Sequence, residues 1–427
     1  MSAVTFSKTL NSKKDYDVIV CGGGVAGVAA AISASKCGKS TLLLEKSTIL
    51  GGLATLGLIN LFVPLCNGRG KQIIFGLCEK WARESSKYGY GTIPDEWRDG
   101  EPTEPTTKRY TNRFPPYIFA MQLTEDLLAS GAELLYDCVA TEAVMDGKRC
   151  IGVITHSKSG HEFYGCKMLI DTTGDLDVLR AAGVPHTVGQ NYATYGGRQI
   201  TLDGCKKAAE SGNIRDAYSG IGGYGASLWG ERQPEGVPRW SGTTVESVTD
   251  YLITNQRVML GKIKNAEDKD ARDVATIPHM PQFRTTCHLN GDYDFTVYDA
   301  YKHFDDSVGA INDFEHRDHL FEVPLRALCR KDYPNIGTAG RSASASGYGW
   351  DLIRVIPPAI ITGQSIAIAA CHAIDENCAI ADVDIARLQA KLTEENIMVH
   401  FPDEYVPEDK TLIIHGKNMA EIDGGHL

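Results

Sequence analysis

The chain has 427 residues, a formal net charge of −11 and 43% hydrophobic residues. This length allows a large core in about two domains, and the negative charge argues against nucleic acid as a partner, because phosphate backbones attract clustered cations. The 12 cysteines are scattered and form no C-x-x-C pair, which disfavours zinc, iron–sulfur and disulfide frameworks and indicates a reducing compartment.

The N-terminal residues 1–15 (MSAVTFSKTLNSKKD) are polar and predict a frayed or added edge element. They contain no apolar stretch of the secretory type, and no run of about 20 apolar residues predicts a membrane span anywhere in the chain. We therefore expect a cytoplasmic protein.

The segment Asp17–Glu45 reads DVIVCGGGVAGVAAAISASKCGKSTLLLE. It predicts a short apolar strand at Val18–Cys21 and a G-x-G-x-x-G turn at Gly22–Gly27. An alanine-rich helix at Val28–Lys36 and a second strand at Thr41–Leu44 follow. The helix N-terminus offers unpaired N–H groups and a positive dipole end to a phosphate group. This context predicts a dinucleotide-binding unit.

Four residues of this segment have defined physical tasks in such a unit. Gly22 allows the tight turn, Gly24 lets the backbone approach a pyrophosphate, and Gly27 lets the helix pack close to the strand. Glu45 is placed to accept hydrogen bonds from a ribose 2′-OH, whereas it would repel a 2′-phosphate.

The next elements in chain order carry less information. The pair Gly51-Gly52 lets backbone pass close to a bound dinucleotide, or it belongs to an ordinary loop. We predict a helix near Gln72–Glu84, a loop over 95–105, and then a helix and a strand at Tyr117–Ala129 and Glu133–Val139.

An antiparallel group of strands is predicted next. Its strands are Val144–Met145, Ile151–Ile154 and His161–Tyr164, and its turns are at Asp146-Gly147 and Ser159-Gly160. A separate strand, Lys167–Asp171, then leads into Thr-Thr-Gly-Asp at 172–175 and a helix over 177–182.

The region 191–320 has a different texture, with many Gly and Tyr residues, and we expect it to be the substrate domain. It contains a second G-x-G-x-x-G, at Gly220, Gly222 and Gly225, but no apolar strand precedes it and no helix follows it. We therefore interpret that copy as a flexible loop. A long amphipathic helix is predicted at Val245–Lys264, and the segment 280–299 is predicted to be rich in strands.

The last third of the chain again predicts elements typical of a dinucleotide-binding domain. A strand is predicted at Asn335–Ala339, followed by Gly340-Arg341. After Pro357-Pro358, which a helix start tolerates, we predict a helix at Ala359–Ile374 and a final amphipathic helix over 384–396.

The order of these signatures resembles the two-dinucleotide-binding-domain flavoproteins of the glutathione-reductase-like superfamily. Within that superfamily the chain is similar to a family of FAD-dependent oxidoreductases. The segments that carry the resemblance are IDTTGDLDVLRAAGVP, RTTCHLNGDYDF, VPLRALCRKDYPNIGTAGRSASAS and DVDIARLQAKL. The resemblance implies an α/β fold with FAD as cofactor. Its FAD-binding domain would be Rossmann-like, with a parallel sheet and an antiparallel β-meander, and discontinuous over 1–190 and 321–427. A smaller mixed α+β substrate domain would occupy 191–320.

The resemblance also implies cofactor roles. The pyrophosphate would be cradled by Gly22, Gly24, Val25, Ala26 and Gly27, and the adenosine end would be bound by Glu45, Val139, Gly174 and Asp175. The path to the ring would be lined by Lys46, Gly52, Leu53 and Ala54. The ribityl chain and flavin would lie beside Gly340, Arg341 and Ala359. The helix beginning near Ala359 would direct its N-terminus at the N1–C2=O edge of the flavin, where a reduced ring carries negative charge.

Departures from the family pattern restrict the function. Where the family has R-E-T-R, this chain has Arg284, Thr285, Thr286 and Cys287, which puts a shared scheme of substrate binding in doubt. No second cysteine follows Cys66 in a redox spacing, so disulfide reductase activity is disfavoured. Gly-Arg in place of the Gly-Asp of flavin hydroxylases disfavours monooxygenation.

The expected reaction is hydride transfer between FAD and a small organic substrate of the CH–OH, CH–CH or CH–NH type. The catalytic candidates are Arg284, His288, Tyr348, Asp351 and Arg354. Strand alternation would place Arg284 and His288 on one face, although a structural histidine is an alternative for His288 and an ion pair is one for Asp351 and Arg354. Arg354 could bind a substrate carboxylate or the flavin.

No metal site is predicted, because His316 and His319 lack a third ligand and lie in a segment that resembles a solvated charged stretch. The expected partners are a small-molecule substrate and an electron donor or acceptor: a second substrate, a quinone, a carrier protein or oxygen. An alternative function is that of a binding or scaffold protein in which FAD or NAD is structural.

Overall fold

The computed structural model describes residues 7–414 and 417–418. Within these residues the α-helices are α1 (Val25–Lys36), α2 (Gly76–Glu84), α3 (Pro116–Ala129), α4 (Asp177–Ala181), α5 (Leu202–Ser211), α6 (Val245–Lys264), α7 (Gly347–Ile353), α8 (Ile356–Glu376) and α9 (Ile385–Glu394).

The strands of the same residues are β1 (Ser12–Cys21), β2 (Thr41–Leu44), β3 (Leu61–Phe62), β4 (Asn112–Arg113), β5 (Glu133–Leu135), β6 (Val139–Asp146), β7 (Arg149–Ser157), β8 (Gly160–Asp171), β9 (His186–Val188), β10 (Thr194–Thr201), β11 (Tyr218–Gly225), β12 (Arg272–Thr276), β13 (Cys287–Leu289), β14 (Ser307–Asn312), β15 (Leu320–Pro324), β16 (Cys329–Arg330), β17 (Tyr333–Thr338), β18 (Ile413–Ile414) and β19 (Lys417–Asn418).

The main sheet has the strand order β16-β17-β8-β1-β2-β5, and β6 and β7 extend it through β8. Strands β17, β8, β1, β2 and β5 are mutually parallel, whereas β16 runs antiparallel to β17. This is the predicted α/β fold with a parallel Rossmann-like sheet and an antiparallel meander. The assignment of 191–320 as a separate substrate domain stays a prediction.

Both faces of this sheet are covered, as the apolar runs of β1 and β2 require. Alternate residues of these strands enter different cores: Val18, Val20 and Leu43 pack with α1 and α8, whereas Ile19, Leu42 and Leu44 pack with the meander and α4. The helices lie very close: a Cβ on Gly363 of α8 would lie 2.2 Å from the backbone oxygen of Ala26. Small residues therefore allow α1 and α8 to pack in one layer.

The meander β6–β7–β8 confirms the predicted antiparallel strands and both turns. The separation of Lys167–Asp171 as an independent strand was wrong, because β8 is one continuous strand. Its first half pairs antiparallel with β7, and the strand pairs parallel with β1 from Phe163 to Asp171. The single strand thus joins the meander to the parallel sheet.

The region between β9 and β13 contains the sheet β11-β10-β12. The loop assigned to Gly220–Gly225 was wrong: these residues form most of β11, and Gly222 pairs with Gly196 of β10. A Cβ on Gly222 would lie 2.3 Å from the backbone oxygen of Tyr195, so glycine allows this close pairing. The strand-rich prediction for 280–299 was also wrong, because only β13 forms there.

Helix α6 confirms the predicted Val245–Lys264. Other boundaries were displaced: α1 begins at Val25, α2 at Gly76 and α8 at Ile356, and the strand predicted to reach Val139 ends at Leu135. The early residues also differ from prediction, since Ser12–Asp15 belong to β1; residues 1–6 lie outside the described residues.

Helix α8 is long and apolar enough to cross a membrane by length and composition alone. Its apolar window is 100% buried inside the protein, as in the core helix of a globular fold. The cytoplasmic location stays a prediction.

Candidate functional site

A cleft lies at the carboxyl ends of β1, β2, β8 and β17. Ligands of open parallel sheets bind at this edge, outside the strand ends. Its lining is Gly22, Gly24, Val25, Ala26, Leu44, Glu45, Lys46, Gly51, Gly52, Leu53, Ala54, Cys138, Val139, Ala140, Thr172, Thr173, Gly174, Asp177, Met280, Ala339, Gly340, Arg341, Arg354, Ile356 and Ala359.

The glycine turn between β1 and α1 forms the floor of the cleft. Gly22 has a φ of +102°, which favours glycine. A Cβ on Gly27 would lie 1.8 Å from the Gly22 oxygen, so Gly27 is needed for packing, whereas a Cβ on Gly24 would meet no atom within 4 Å and would point into open space. Gly24 is also the N-cap of α1. This geometry leaves room for a phosphate group at the helix N-terminus.

Glu45 is 3% exposed and is held by two backbone amides. Its Oε2 accepts a hydrogen bond from the Gly23 amide at 2.6 Å, and its Oε1 accepts one from the Ser47 amide at 2.7 Å. Each carboxylate oxygen keeps acceptor capacity. Glu45 lines the cleft with this remaining capacity, and its ribose-binding role stays a prediction.

The α8 end of the cleft is lined by Ile356 and Ala359 in the first turn of α8. Helix α8 begins at Ile356 rather than Ala359, because prolines are tolerated in a first helical turn. Pro357 and Pro358 carry no N–H, and the Ala359 amide donates to the Val355 oxygen at 3.0 Å. This turn therefore contributes to a ligand chiefly through the helix dipole, worth roughly 1 kcal/mol.

Arg341 connects three parts of the chain and lines the cleft. Its Nε donates to the Gly174 oxygen at 2.7 Å, Nη1 to the Phe283 oxygen at 2.8 Å and Nη2 to Asp175 Oδ1 at 2.7 Å. The side chain is only 9% exposed. Asp175 also accepts from the Thr286 hydroxyl at 2.6 Å. These bonds hold the loop after β8 against residues 283–286 of the middle region.

Asp171 organises the same loop from below. This wholly buried carboxylate accepts hydrogen bonds from the amide and hydroxyl of Thr173 and from the amides of Val178 and Leu179. Burial nevertheless raises the pKa of Asp171 to about 6. The loop that carries Thr173 and Gly174 to the cleft is thereby tied to the start of α4.

The cleft brings together the predicted cofactor residues except Gly27, which packs behind it, and Asp175, which holds Arg341. The glycine floor, the Glu45 carboxylate and the α8 dipole fit an ADP-containing dinucleotide; the position of its ring at the α8 end stays a prediction. Thr172, Thr173 and Met280 also line the cleft and were missed. The threonines could have been found, since they adjoin Gly174. Met280 comes from the middle region, and no local signal marks it.

Among the catalytic candidates, Arg354 lines the cleft beside Ile356. Its Nε donates to Asp351 Oδ1 at 2.7 Å, and its Nη2 donates to the same oxygen. Arg284 lies near this pair: burial, followed by repulsion from Arg354, lowers the pKa of Arg284 to about 10. Its Nη1 is buried with no hydrogen-bond partner among the described residues. These three candidates form one charged group at the α8 end.

His288 lies in β13, outside the cleft lining, and is 4% exposed. Its Nδ1 is 2.7 Å from the Leu289 oxygen, and its ring meets Trp350 edge-on at 4.5 Å between centroids. Burial lowers its pKa. Arg284 precedes β13, so the expected shared strand face was wrong. The environment of His288 is that of a packed side chain, and its catalytic role stays a prediction.

Tyr348 is 1% exposed and donates to Asp313 Oδ1 at 2.7 Å. Asp313 Oδ2 lies 3.0 Å from His316 Nδ1 and 3.2 Å from His319 Nδ1. Burial and the charge of Asp313 raise the pKa of Tyr348. The interpretation of His316 and His319 as a solvated stretch was wrong, because they surround a buried carboxylate. Asp313 thus adds a third potential metal-ligating group beside the two histidines, which the sequence did not reveal.

A family model described as FAD dependent oxidoreductase matches residues 17–219 and 229–392 of the chain. Among curated proteins, a putative bifunctional amine oxidase from Dictyostelium discoideum is 53% identical over 45 residues. That match covers 10% of this chain and 4% of the length of the relative.

Solved structures also resemble the chain at low identity. A geranylgeranyl bacteriochlorophyll reductase-like protein from Thermoplasma acidophilum has 15% identity and a TM-score of 0.44, with coverage of 90% of this chain and 84% of its own. p-Nitrophenol 4-monooxygenase from Pseudomonas putida has 13% identity and a TM-score of 0.41, with coverage of 92% and 91%.

Proposed function

Because the chain belongs to the FAD-dependent oxidoreductase family and is therefore an enzyme with FAD as its cofactor, we propose that it transfers a hydride between the flavin and a small organic substrate bound beside Arg354. Candidate substrate bonds are CH–OH, CH–CH and CH–NH. When bound, FAD supplies the hydride acceptor or donor at N5 of its ring. An alternative with a purely structural cofactor does not accord with the family.

The observation that carries this proposal is the position of Arg354. It is the catalytic candidate that lines the cleft, and it does so beside Ile356 and Ala359, where the flavin ring is expected. Asp351 holds the guanidinium from one side through a single oxygen. A guanidinium so oriented can pair with a carboxylate in a bidentate manner. We therefore expect a substrate that carries a carboxylate near its reacting carbon.

Arg284 supports the same substrate class. Two guanidinium groups in a partly desolvated place repel each other, and this repulsion contributes to the lowered pKa of Arg284. An anion bound between them would offset the repulsion, and the unpaired Nη1 of Arg284 would gain an acceptor. The guanidinium groups of Arg284 and Arg354 would thus contribute more to substrate binding than to the stability of the free enzyme.

Proton transfer needs a second group. Both bonds from Arg354 go to Oδ1 of Asp351, so Oδ2 is not part of this ion pair. Asp351 is therefore our candidate for the base that accepts a proton from a hydroxyl or amine during oxidation. Its Asn variant should retain substrate binding and lose most of kcat.

Anaerobic bleaching of the flavin absorbance tests this function. A panel of 2-hydroxy and 2-amino acids is compared with the matching uncharged alcohols and amines. We expect bleaching only by carboxylate-bearing compounds. Arg354→Lys should raise KM about tenfold or more for the active compound, because lysine lacks the bidentate geometry.

Arg326→Lys is the matched control, since Arg326 also makes two bonds to one aspartate, Asp306, at 2.9 and 3.1 Å but lies outside the cleft. It should leave KM unchanged. Bleaching by uncharged substrates alone, or an unchanged KM in Arg354→Lys, would contradict the proposed substrate class.

A further inference from the structure

Two histidine side chains from separate segments converge on one buried carboxylate outside the cleft lining. Glu322 of β15 is 0% exposed. Its Oε1 lies 2.6 Å from His303 Nδ1, and its Oε2 lies 3.0 Å from His400 Nδ1. The amide of Phe304 donates to Oε2 at 2.8 Å and orients the carboxylate. A buried carboxylate needs a cation or strong donors, and here two imidazoles face it.

The hydrogen positions required by this arrangement are unusual. His303 directs Nδ1 at Glu322 and Nε2 at Asp403 Oδ1, 3.1 Å away. A neutral imidazole carries a proton on only one nitrogen, so both contacts can be favourable only for a doubly protonated ring or with a metal ion in place of one proton. A dication between the two rings and Glu322 would satisfy all three groups.

The donor set is that of a zinc-type site. Two imidazoles and one carboxylate bind Zn²⁺ with one further position open to solvent. The three ligand atoms lie within 4.8 Å of one another. Ligands about 2.0–2.2 Å from a tetrahedral ion are separated by roughly 3.3 Å, so the contacts now at 2.6 and 3.0 Å need to widen by less than about 1 Å.

The surroundings hold these ligands in place and leave them accessible. The segment before His400 is bound to β14, because the Ala310 amide donates to the Met398 oxygen at 2.6 Å and the Ser307 hydroxyl donates to the Val399 oxygen at 2.6 Å. The side chains of His303 and His400 are 40% and 44% exposed, so an ion can enter from solvent. Asp403 bonds the second nitrogen of His303, as carboxylates do for metal-bound imidazoles.

The cluster of Asp313, His316 and His319 is less suited to an ion. Asp313 Oδ1 already accepts from Tyr348 and from the amides of Glu315 and His316. Asp313 and His319 are also buried, which restricts the entry of an ion. Hydrogen bonding within the protein accounts for that cluster.

We propose that His303, Glu322 and His400 bind a divalent transition-metal ion of the zinc class, with Asp403 as a positioning residue. The ion would join the segment around His400 to the hairpin β14–β15. Its contribution would be to stability and not to hydride transfer, since none of the three residues lines the cleft.

The test is titration of the chelator-treated, FAD-loaded protein with Zn²⁺ against a competing metal-sensitive dye. We expect one tightly bound Zn²⁺ per chain and a rise in melting temperature on its addition. His400→Ala should weaken binding at least about tenfold and abolish the thermal shift. His156→Ala, at an exposed histidine on β7, is the matched control and should bind like the wild type.

Glu322→Gln tests the buried ligand, and His400→Ala keeps the proposal testable if that variant does not fold. Absence of binding by the wild type would overturn the proposal. So would unchanged affinity in His400→Ala, or loss of binding in His319→Ala with retention in His400→Ala, which would assign the ion to the other cluster.

Discussion

The two ends of the cleft differ in the groups that line them, which are backbone groups at one end and side chains at the other. The expected pyrophosphate end is lined by backbone: the turn at Gly22–Gly27, the bridge between Gly24 and Gly51, and the loop after β8. The α8 end is lined by the Arg354 side chain, with Arg284 and Asp351 close by. An end made of backbone is sensitive to any added Cβ and accepts one ligand shape. An end made of side chains can change its substrate by single substitutions.

Arg341 joins the loop after β8 to residues 283–286 of the middle region, and its loss should have the largest effect. Arg341→Met removes the donors for Gly174, Asp175 and Phe283 and leaves Asp175 without its cation. Breaking such a mostly buried pair costs about 3–5 kcal/mol. We expect that loss in the free energy of unfolding by denaturant, together with low FAD occupancy.

The matched control is Arg330→Met, since Arg330 also pairs with an aspartate, Asp332, whose side chain is 46% exposed. It should cost about 1 kcal/mol or less. Equal costs for the two variants would contradict the structural importance of the mostly buried pair of Arg341 and Asp175.

Gly27→Ala should disrupt the glycine turn at the end of the cleft that is lined by backbone. The added Cβ would lie 1.8 Å from the Gly22 oxygen and 2.5 Å from Thr172 Oγ1, so α1 must move away from β1. Overpacking of this kind costs about 3 kcal/mol, and we expect a lower melting temperature and weak flavin absorbance. Gly220→Ala belongs to the other glycine motif and meets nothing within 4 Å. It should leave both measurements unchanged; a normal Gly27→Ala variant would contradict the close packing.

Asp171 makes the loop below the pyrophosphate end sensitive to pH. Burial raises its pKa from 3.8 to about 6 on folding. A raised carboxyl pKa contributes stability that is present below pH ~3.8 and is lost as the pH rises through about 6, by about 2–3 kcal/mol in total.

Urea unfolding of wild type and Asp171→Asn from pH 4 to pH 7 measures this component. The stability difference, wild type minus variant, should decrease over that interval. A difference that is constant with pH would mean that Asp171 keeps its ordinary pKa in the folded protein.

The smallest effect is expected at Tyr348, which lies outside the cleft lining. Tyr348→Phe removes one hydrogen bond to Asp313, which keeps two backbone donors. We expect a loss of about 1 kcal/mol in unfolding free energy and unchanged FAD occupancy. Tyr88→Phe, at a tyrosine 66% exposed, serves as control. A large loss of FAD in Tyr348→Phe would extend the cofactor site to the Asp313 cluster.

The same contrast explains what could be predicted from the sequence. Helix α6 and the segment around Gly22 have local patterns, a period of three to four residues and a strand–turn–helix order, and both were recognised. Strand β11 was missed because it is rich in glycine (YSGIGGYG), and no apolar alternation marks it. The contacts of Asp313 with Tyr348 join residues far apart in the chain, so no local pattern reveals them.

Binding of FAD to deflavinated protein, compared between wild type and Gly24→Ala, tests the central claim most directly. The Cβ of the variant meets no protein atom within 4 Å, so the stability of the free protein should not change, but it would occupy the space reserved for the pyrophosphate. We predict one FAD per wild-type chain and at least about tenfold weaker binding by the variant, equivalent to about 1.4 kcal/mol. Equal affinity in the two proteins would contradict a backbone cradle for FAD at this turn.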